Sequence, residues 1–167
     1  MASEYGRKAA LTGAALTTRP LLVKFSKRLG APQREVFDYV TDISRLHEWI
    51  PLAQKSWSDD SNAEEPGRVG AVRVIVAGPG KPTREVIKFF EEPNLLAYSA
   101  SDDSLFGLAT DHLSVISVEP HPSGGSVMTW LAYGRPADSL IKRGAAQLVF
   151  RTALGGGMRN LGKKFPT

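Results

Sequence analysis

The segment 31–51 constrains the fold of this chain more than any other part of the sequence. Pro32 suits the first turn of a helix, because a proline there loses no intrahelical hydrogen bond. Val36 and Val40 lie four residues apart and begin an apolar stripe. The sequence therefore predicts a short amphipathic helix over 33–41.

A second short helix is predicted at about 44–49. Asp42 or Ser44 can cap its first turn. Leu46 and Trp49 give it an apolar side. Two short helices therefore follow one another before most of the strands begin.

Turn-rich separators divide the rest of the chain into candidate strands. Alternation of apolar and polar residues predicts strands at about 21–29, 53–58, 69–77, 83–91, 95–101, 109–118 and 126–134. Glycine, proline and asparagine fill the segments between them. Because these connections are short, consecutive strands are expected to pair as antiparallel hairpins.

The last helix carries two apolar stripes that cannot both face one sheet. The first contains Ile141, Ala145, Leu148, Val149 and Thr152. The second, displaced by roughly 150° on the helical wheel, contains Leu154, Met158, Leu161 and Phe165. Three glycines at 155–157 lie at the changeover, and each costs ~1 kcal/mol relative to alanine. The pattern predicts a break or sharp kink there; the alternative is a continuous helix whose glycines admit a close neighbour.

Taken together, these features resemble the SRPBCC proteins (START-related, polyketide cyclase-like, birch-pollen-allergen-like). Besides the segment 31–51, the resemblance rests on Gly-Arg-Val-Gly at 67–70, Glu-Pro-Asn-Leu-Leu-Ala-Tyr at 92–98 and Gly-Gly-Ser-Val-Met-Thr-Trp at 124–130. It covers roughly residues 20 to 165, and it points to the polyketide cyclase/dehydrase and lipid-transport branch. It implies the helix-grip fold, an α+β class. In that fold a curved antiparallel sheet of about seven strands, in the order β-α-α-β6-α, wraps around a long C-terminal helix that is usually unbroken.

Composition limits the compartment and the domain count. The chain has no cysteine, which excludes disulfide bonds and thiol chemistry. No stretch reaches the ~18–20 apolar residues of a membrane span. The run 7–16 resembles a signal peptide only weakly, because alanine, threonine and glycine occupy its centre. We therefore expect a cytoplasmic protein with a loosely ordered extension over 1–19 and one domain over 20–167.

Positive charge is concentrated near the C-terminus. From Asp138 onward there are six basic residues and one acidic residue, a net of +5, so the preceding residues sum to −1 of the total of +4. A solvated helix face is one explanation. Attraction to an anionic membrane surface is the other, with ~1 kcal/mol for each basic residue near the surface. No aromatic stacking platform accompanies these charges, so we expect no nucleic-acid partner.

Strand periodicity assigns side chains to the two faces of the sheet. On 83–91, two cations share one face, which marks it as the solvent side and turns Glu85, Ile87 and Phe89 inward. The same logic on 69–77 turns Arg73 outward and turns Val72, Val74 and Val76 inward. On 109–118 the pattern does not decide which of the two sets of alternating residues faces inward.

The resemblance implies that the tryptophan at position 130 lines a cavity, so Met128, Trp130 and Ala132 are taken as inward. A curved sheet around one helix leaves a gap that side chains do not fill, and we expect this gap to bind a ligand. The predicted ligand-binding residues are Trp49, Val74, Ile87, Phe89, Tyr98, Leu113, Met128, Trp130, Leu148 and Thr152.

Candidates for catalysis are few. The three histidines lack metal-ligand spacing, and neither a Gly-x-Ser-x-Gly elbow nor a phosphate-binding loop is present. We therefore expect no metal and no cofactor. Glu85, Asp111, His112 and Tyr98 are the polar groups that could act in a cavity. A carboxyl group there would have a raised pKa, as general acids and bases often do. The alternative, which we favour for Glu85, is a position at the mouth of the cavity where its carboxylate is solvated or paired with a neighbouring cation.

Three functions remain open. We favour a protein that binds a hydrophobic small molecule such as a lipid, fatty acyl, isoprenoid or polyketide-like compound. The first alternative is a polyketide cyclase or dehydratase type of enzyme that uses the same cavity. The second is lipid delivery at anionic membranes through the basic C-terminal helix, a peripheral membrane contact. A homodimer is also left open.

Overall fold

Seven strands form one antiparallel sheet that is covered on one face by helices. The computed structural model describes residues 15–100, 109–136 and 138–167. The strands are β1 (Leu21–Leu29), β2 (Lys55–Asp59), β3 (Val72–Val76), β4 (Thr83–Glu91), β5 (Leu95–Ala100), β6 (Ala109–Pro120) and β7 (Ser126–Pro136). The helices are α1 (Gln33–Thr41), α2 (Leu46–Trp49) and α3 (Leu140–Lys164), with a 3₁₀ turn at Ile43–Arg45.

The sheet has the strand order β1-β7-β6-β5-β4-β3-β2. From β2 to β7 each strand pairs with the next strand along the chain, and β1 pairs with the last one. The predicted α+β helix-grip architecture with a curved seven-stranded sheet is confirmed. The first strand begins and ends where alternation placed it, and so does β4.

The two short helices lie between β1 and β2, as predicted. Val36, Phe37 and Val40 are buried beneath α1. Asp42 accepts a hydrogen bond from the backbone N–H of Ser44 at 3.0 Å and so caps the 3₁₀ turn. This cap was one of the two that the sequence allowed.

Helix α3 is continuous through its three glycines, so the predicted break at 155–157 is wrong. The glycines instead admit the chain that follows α2. A Cβ on Gly156 would lie 2.6 Å from Cγ of Pro51, and one on Gly157 would lie 2.8 Å from Cδ1 of Ile50. Close approach was the alternative reading of these glycines, and the structure supports it.

The two apolar stripes of α3 have different surroundings. The second stripe, Leu154, Met158, Leu161 and Phe165, is buried. The first stripe is largely exposed: Ile141 is 85% exposed and Leu148 is 68% exposed. A continuous helix is therefore compatible with the sequence, because only the second stripe is buried against the rest of the protein.

The sheet is apolar on both faces. The inner cluster lies between the sheet and the helices and includes Leu96, Ile116, Met128, Trp130 and Ala132 together with the buried residues of the helices. The outer cluster, on the opposite face, consists of Leu95, Ala97, Leu113, Val115, Leu131 and Tyr133, with Phe89 packed against it. Alternation along β5, β6 and β7 produces this division.

The extension expected over 1–19 lies mostly outside the described residues, which begin at residue 15. Within the described part, Arg19 forms an ion pair of 2.9 Å with Asp111. No helix in the described ranges combines the length and apolarity that a membrane span requires.

Candidate ligand cavity

A cavity of about 280 Å³ lies between the inner face of the sheet and helices α2 and α3. Its apolar lining consists of Leu46, Ile50, Leu52, Ile75, Ala77, Trp130, Val149, Phe150, Ala153 and Leu154. Its polar lining consists of Arg73, Thr83, Glu85, Tyr98, His112 and Ser114. The helices supply apolar walls, and the strands supply all six of these polar residues.

The opening of the cavity lies between α3 and the segment after α2. Leu52 and Val149 both line the cavity, yet they are 46% and 42% exposed. By contrast, Tyr98 and Trp130 are almost fully buried. A ligand would therefore enter past Leu52 and Val149 and reach the sheet at its inner end.

An arginine and a glutamate face each other across two strands at the polar wall. Arg73 on β3 is the cross-strand partner of Glu85 on β4. Their side chains are 4% and 12% exposed, and Arg73 Nε lies 3.5 Å from Glu85 Oε2. The guanidinium carbon also lies 4.2 Å from the ring centroid of Tyr98, within the range of a cation–π contact.

Burial controls the protonation of these groups. It raises the pKa of Glu85, because the ionised carboxylate loses its hydration, while the positive charge of Arg73 opposes the shift. The pKa of the Tyr98 phenol is also raised, first by burial and then by the nearby charge of Glu85. The cavity thus contains an acid that holds its proton more firmly than a surface glutamate.

His112 is held as a neutral imidazole beside this wall. Its Nδ1 accepts a hydrogen bond from the backbone N–H of Ala100 at 3.2 Å, and its Nε2 lies 3.0 Å from Ser114 Oγ. The ring stacks on Phe150, with centroids 6.2 Å apart and an interplanar angle of 11°. Burial lowers the pKa of His112 to about 4. Since Nδ1 accepts, the proton resides on Nε2, which donates to Ser114.

The predicted site residues divide into several groups. Tyr98, Trp130, Glu85 and His112 line the cavity. Trp49, Ile87 and Met128 belong to the inner cluster without lining the cavity. Trp49 packs against Trp130 with ring centroids 5.5 Å apart. Val74, Phe89, Leu113, Leu148, Thr152 and Asp111 lie elsewhere, as described next.

The predicted faces of β3 are reversed. Arg73 and Ile75 line the cavity, so Val74 points to the outer face, where it pairs with Trp57 and Arg84 of the neighbouring strands. Arg73 was predicted to face solvent because a cation on a strand usually marks the solvent side. It faces inward because Glu85 opposite it supplies a compensating charge.

A bulge explains the error on β4. The pairing of β4 with β5 shifts between Ile87 and Phe89, which changes the alternation from that point. Ile87 therefore points inward as predicted, whereas Phe89 joins the outer cluster. Phe90 takes the inward position and contacts the ring of Phe37 edge-on at 5.5 Å.

The sequence did not decide which residues of β6 face inward. In the structure His112 and Ser114 face inward and line the cavity. Leu113 therefore lies in the outer cluster. Asp111 lies outside this cavity, at an irregularity where its φ is +52°. Its carboxylate pairs with Arg19 at 2.9 Å and with Arg135 at 3.4 Å. Asp111 is therefore a surface ion-pair residue rather than a cavity acid.

Helix α3 contributes different residues from those expected. Leu148 is 68% exposed and Thr152 is also exposed. Phe150 and Leu154 line the cavity in their place. The prediction missed Leu154 because it assigned the cavity to the other stripe of the helix, and it missed Phe150 because this residue belongs to neither stripe.

A larger and more open depression of about 650 Å³ lies beside residues 15–19, Lys88 and Asp111. Seven of its ten lining residues are polar or charged, and it shares His112 with the inner cavity. We place the candidate site in the inner cavity, because its walls are mostly apolar and its polar groups converge. In the described part of the chain, no cluster of histidine, aspartate and glutamate is arranged to hold a metal.

Comparisons with known proteins agree with this architecture. The family model described as "Polyketide cyclase / dehydrase and lipid transport" matches residues 21–166. No curated protein matches the sequence.

Solved structures share the fold at low identity. The XoxI protein of Bacillus cereus is 20% identical with a TM-score of 0.70, covering 86% of this chain and 94% of its own. Norcoclaurine synthase of Thalictrum flavum, in complex with dopamine and hydroxybenzaldehyde, is 13% identical with a TM-score of 0.65, covering 92% and 90%. The structure of Ara h 8.0201 is 17% identical with a TM-score of 0.64, covering 84% and 94%.

Proposed function

Because the chain belongs to the polyketide cyclase/dehydrase and lipid transport family, we propose that it binds a small hydrophobic molecule in the cavity between its sheet and helix α3. The observation that carries this proposal is the cavity lining: ten apolar residues surround one convergent set of polar groups. Apolar walls supply affinity through burial, and a few polar groups orient the ligand.

The size of the cavity limits the ligand. Its volume of about 280 Å³ lies at the lower end of the ~300–1,000 Å³ typical of small-molecule sites. A short acyl chain or a compound of one or two rings fits such a space better than a long-chain lipid. The norcoclaurine synthase structure, with its two small aromatic compounds, supports this size class.

Native mass spectrometry before and after solvent extraction tests the proposal. We expect a co-purified hydrophobic compound, or a rise in melting temperature with members of a panel of short fatty acids, alcohols and aromatic aldehydes. Replacing Ala153, a wall residue, with Trp would fill the cavity and abolish the shift. Ala145→Trp, on the exposed side of the same helix, is the control. No bound compound and no shift with any member of the panel would refute the proposal.

A second candidate function, delivery of the ligand at an anionic membrane, is supported by the exposed stripe of α3. Leu140, Ile141 and Leu148 are 80%, 85% and 68% exposed. Arg143 and Arg151 are exposed on the same half of the helix. This stripe adjoins Val149 at the opening of the cavity. Apolar side chains beside basic ones are the arrangement that binds anionic lipid surfaces.

Co-sedimentation with vesicles tests this second candidate. Wild-type protein should sediment with vesicles rich in phosphatidylserine, less so at high salt, and Ile141→Asp should weaken the binding. Val69→Asp, at an apolar residue that is 52% exposed outside the helix, is the matched control. If the amount of protein that sediments with vesicles depends neither on lipid charge nor on the Ile141→Asp substitution, membrane delivery is contradicted.

A further inference from the structure

We propose that the ligand of the cavity carries an acidic oxygen group, of the carboxylate class, and that Arg73 binds it. This inference rests on the proposed function, because it names the chemistry of the molecule that the cavity takes. It goes beyond apolar binding, since it assigns one end of the ligand to one side chain.

The first argument is the position of the charge. Arg73 has a 4% exposed side chain and lies in the wall of the cavity. An arginine stays charged in a protein, so its burial is costly unless the charge is compensated. A cavity that only had to hold an apolar molecule would gain nothing from a cation in its wall.

The second argument is the incomplete pairing of that charge. Arg73 Nε and Nη1 are both buried and make no hydrogen bond with any described residue. The contact with Glu85 spans 3.5 Å, longer than the ~2.7–2.9 Å of a charge-assisted hydrogen bond. Nη1 carries two N–H donors. An acidic oxygen of a ligand would satisfy them at the inner end of the cavity.

Glu85 does not prevent a second negative group from binding. Burial already raises the pKa of Glu85, and a ligand carboxylate nearby would raise it further. Binding of the ligand therefore favours the protonated form of Glu85, in which the complex holds one positive and one negative charge. His112 is neutral and Tyr98 keeps its phenol proton, so neither adds a competing charge.

Three probes of equal chain length test the inference: octanoate, octanol and methyl octanoate, each titrated by isothermal calorimetry. We expect octanoate to bind at least about tenfold more tightly than the two neutral probes, as for a hydrogen bond to a charged group. In the Arg73→Met variant this preference should disappear while binding of octanol persists. Arg84→Met is the matched control, because Arg84 lies on the outer face and pairs with Asp59 at 2.8 Å.

Arg73→Met leaves Glu85 buried without its partner, so the double variant Arg73→Met with Glu85→Gln guards against loss of folding. The preference for octanoate should be absent in the double variant as well. Equal binding of all three probes to the wild type, or a preference for octanoate that survives in the double variant, would overturn the role of Arg73 and leave the proposed function intact. Failure of all three probes to bind would count against the proposed function itself.

Discussion

The backbone of Gly157 lies against the indole ring of Trp49: a Cβ at position 157 would be 3.1 Å from Cε3 of that ring. Trp49 in turn packs on Trp130, a wall of the cavity, with ring centroids 5.5 Å apart. The glycine therefore permits the close approach of helix α3 to Trp49, the residue that packs on the cavity wall at Trp130. A larger residue there would move either the helix or the tryptophan.

Gly157→Ala should destabilise the protein although alanine favours helix. The gain in helix propensity is ~1 kcal/mol, whereas overpacking of a filled site costs ~1–3 kcal/mol. A Cβ would also lie 2.8 Å from Cδ1 of Ile50. We expect a net loss of up to about 2 kcal/mol in the free energy of unfolding, measured by urea denaturation.

Gly144→Ala is the matched control in the same helix. A Cβ at 144 would meet nothing within 4 Å, and the residue is exposed. This variant should gain about 0.5–1 kcal/mol from helix propensity alone. A stabilising effect of equal size at both positions would contradict the close packing at Gly157.

Acid should destabilise the protein through His112. Burial lowers its pKa to about 4 in the folded state, against 6.5 ordinarily, so the unfolded chain binds more protons between these values. Stability is therefore complete above pH 6.5 and falls as the pH drops towards 4, by up to ~3 kcal/mol. Unfolding in urea at a series of pH values measures this loss.

His112→Asn isolates the contribution of this group. The amide oxygen can still accept from the N–H of Ala100, but the side chain no longer titrates. The difference between variant and wild type should shrink as the pH falls from 7 to 4. His47→Asn, at an exposed histidine, should leave the wild-type profile unchanged; a parallel profile for His112→Asn would mean that His112 does not titrate as inferred.

Most of the fold could be predicted from local signals. Residue alternation placed β1 and β4, and the proline-led stripe placed α1 (Gln33–Thr41), at the bounds that the structure shows. These patterns depend on short-range rules of backbone and burial. The glycines at 155–157 misled the prediction, because their role depends on Ile50 and Pro51, which are distant in sequence.

The candidate site was harder to predict because it depends on pairing between strands. Phe89 faces outward owing to a bulge in β4, where it pairs with β5, and a bulge leaves little trace in the alternation of one strand. Arg73 was turned outward because a lone cation usually marks solvent. Only the pairing of Arg73 with Glu85 reveals that the two charges share the inner face. That pairing could have been inferred from the hairpin turn at 77–82, which joins the two strands.

The same ion pair yields a pH-dependent prediction for stability. Arg73→Met removes the charge that opposes the raised pKa of Glu85, and breaking a buried pair costs ~3–5 kcal/mol. The folded state then keeps a proton that the unfolded state has released, so the variant loses stability as the pH rises above 4.5, the ordinary pKa of a glutamate. Each variant is compared with wild type at the same pH by urea denaturation, which cancels the contribution of His112. Adding Glu85→Gln should remove the pH dependence and recover part of the stability, because glutamine has no carboxyl group that must be protonated in the folded state. A deficit that stays constant with pH in Arg73→Met would show that Glu85 does not take up the proton.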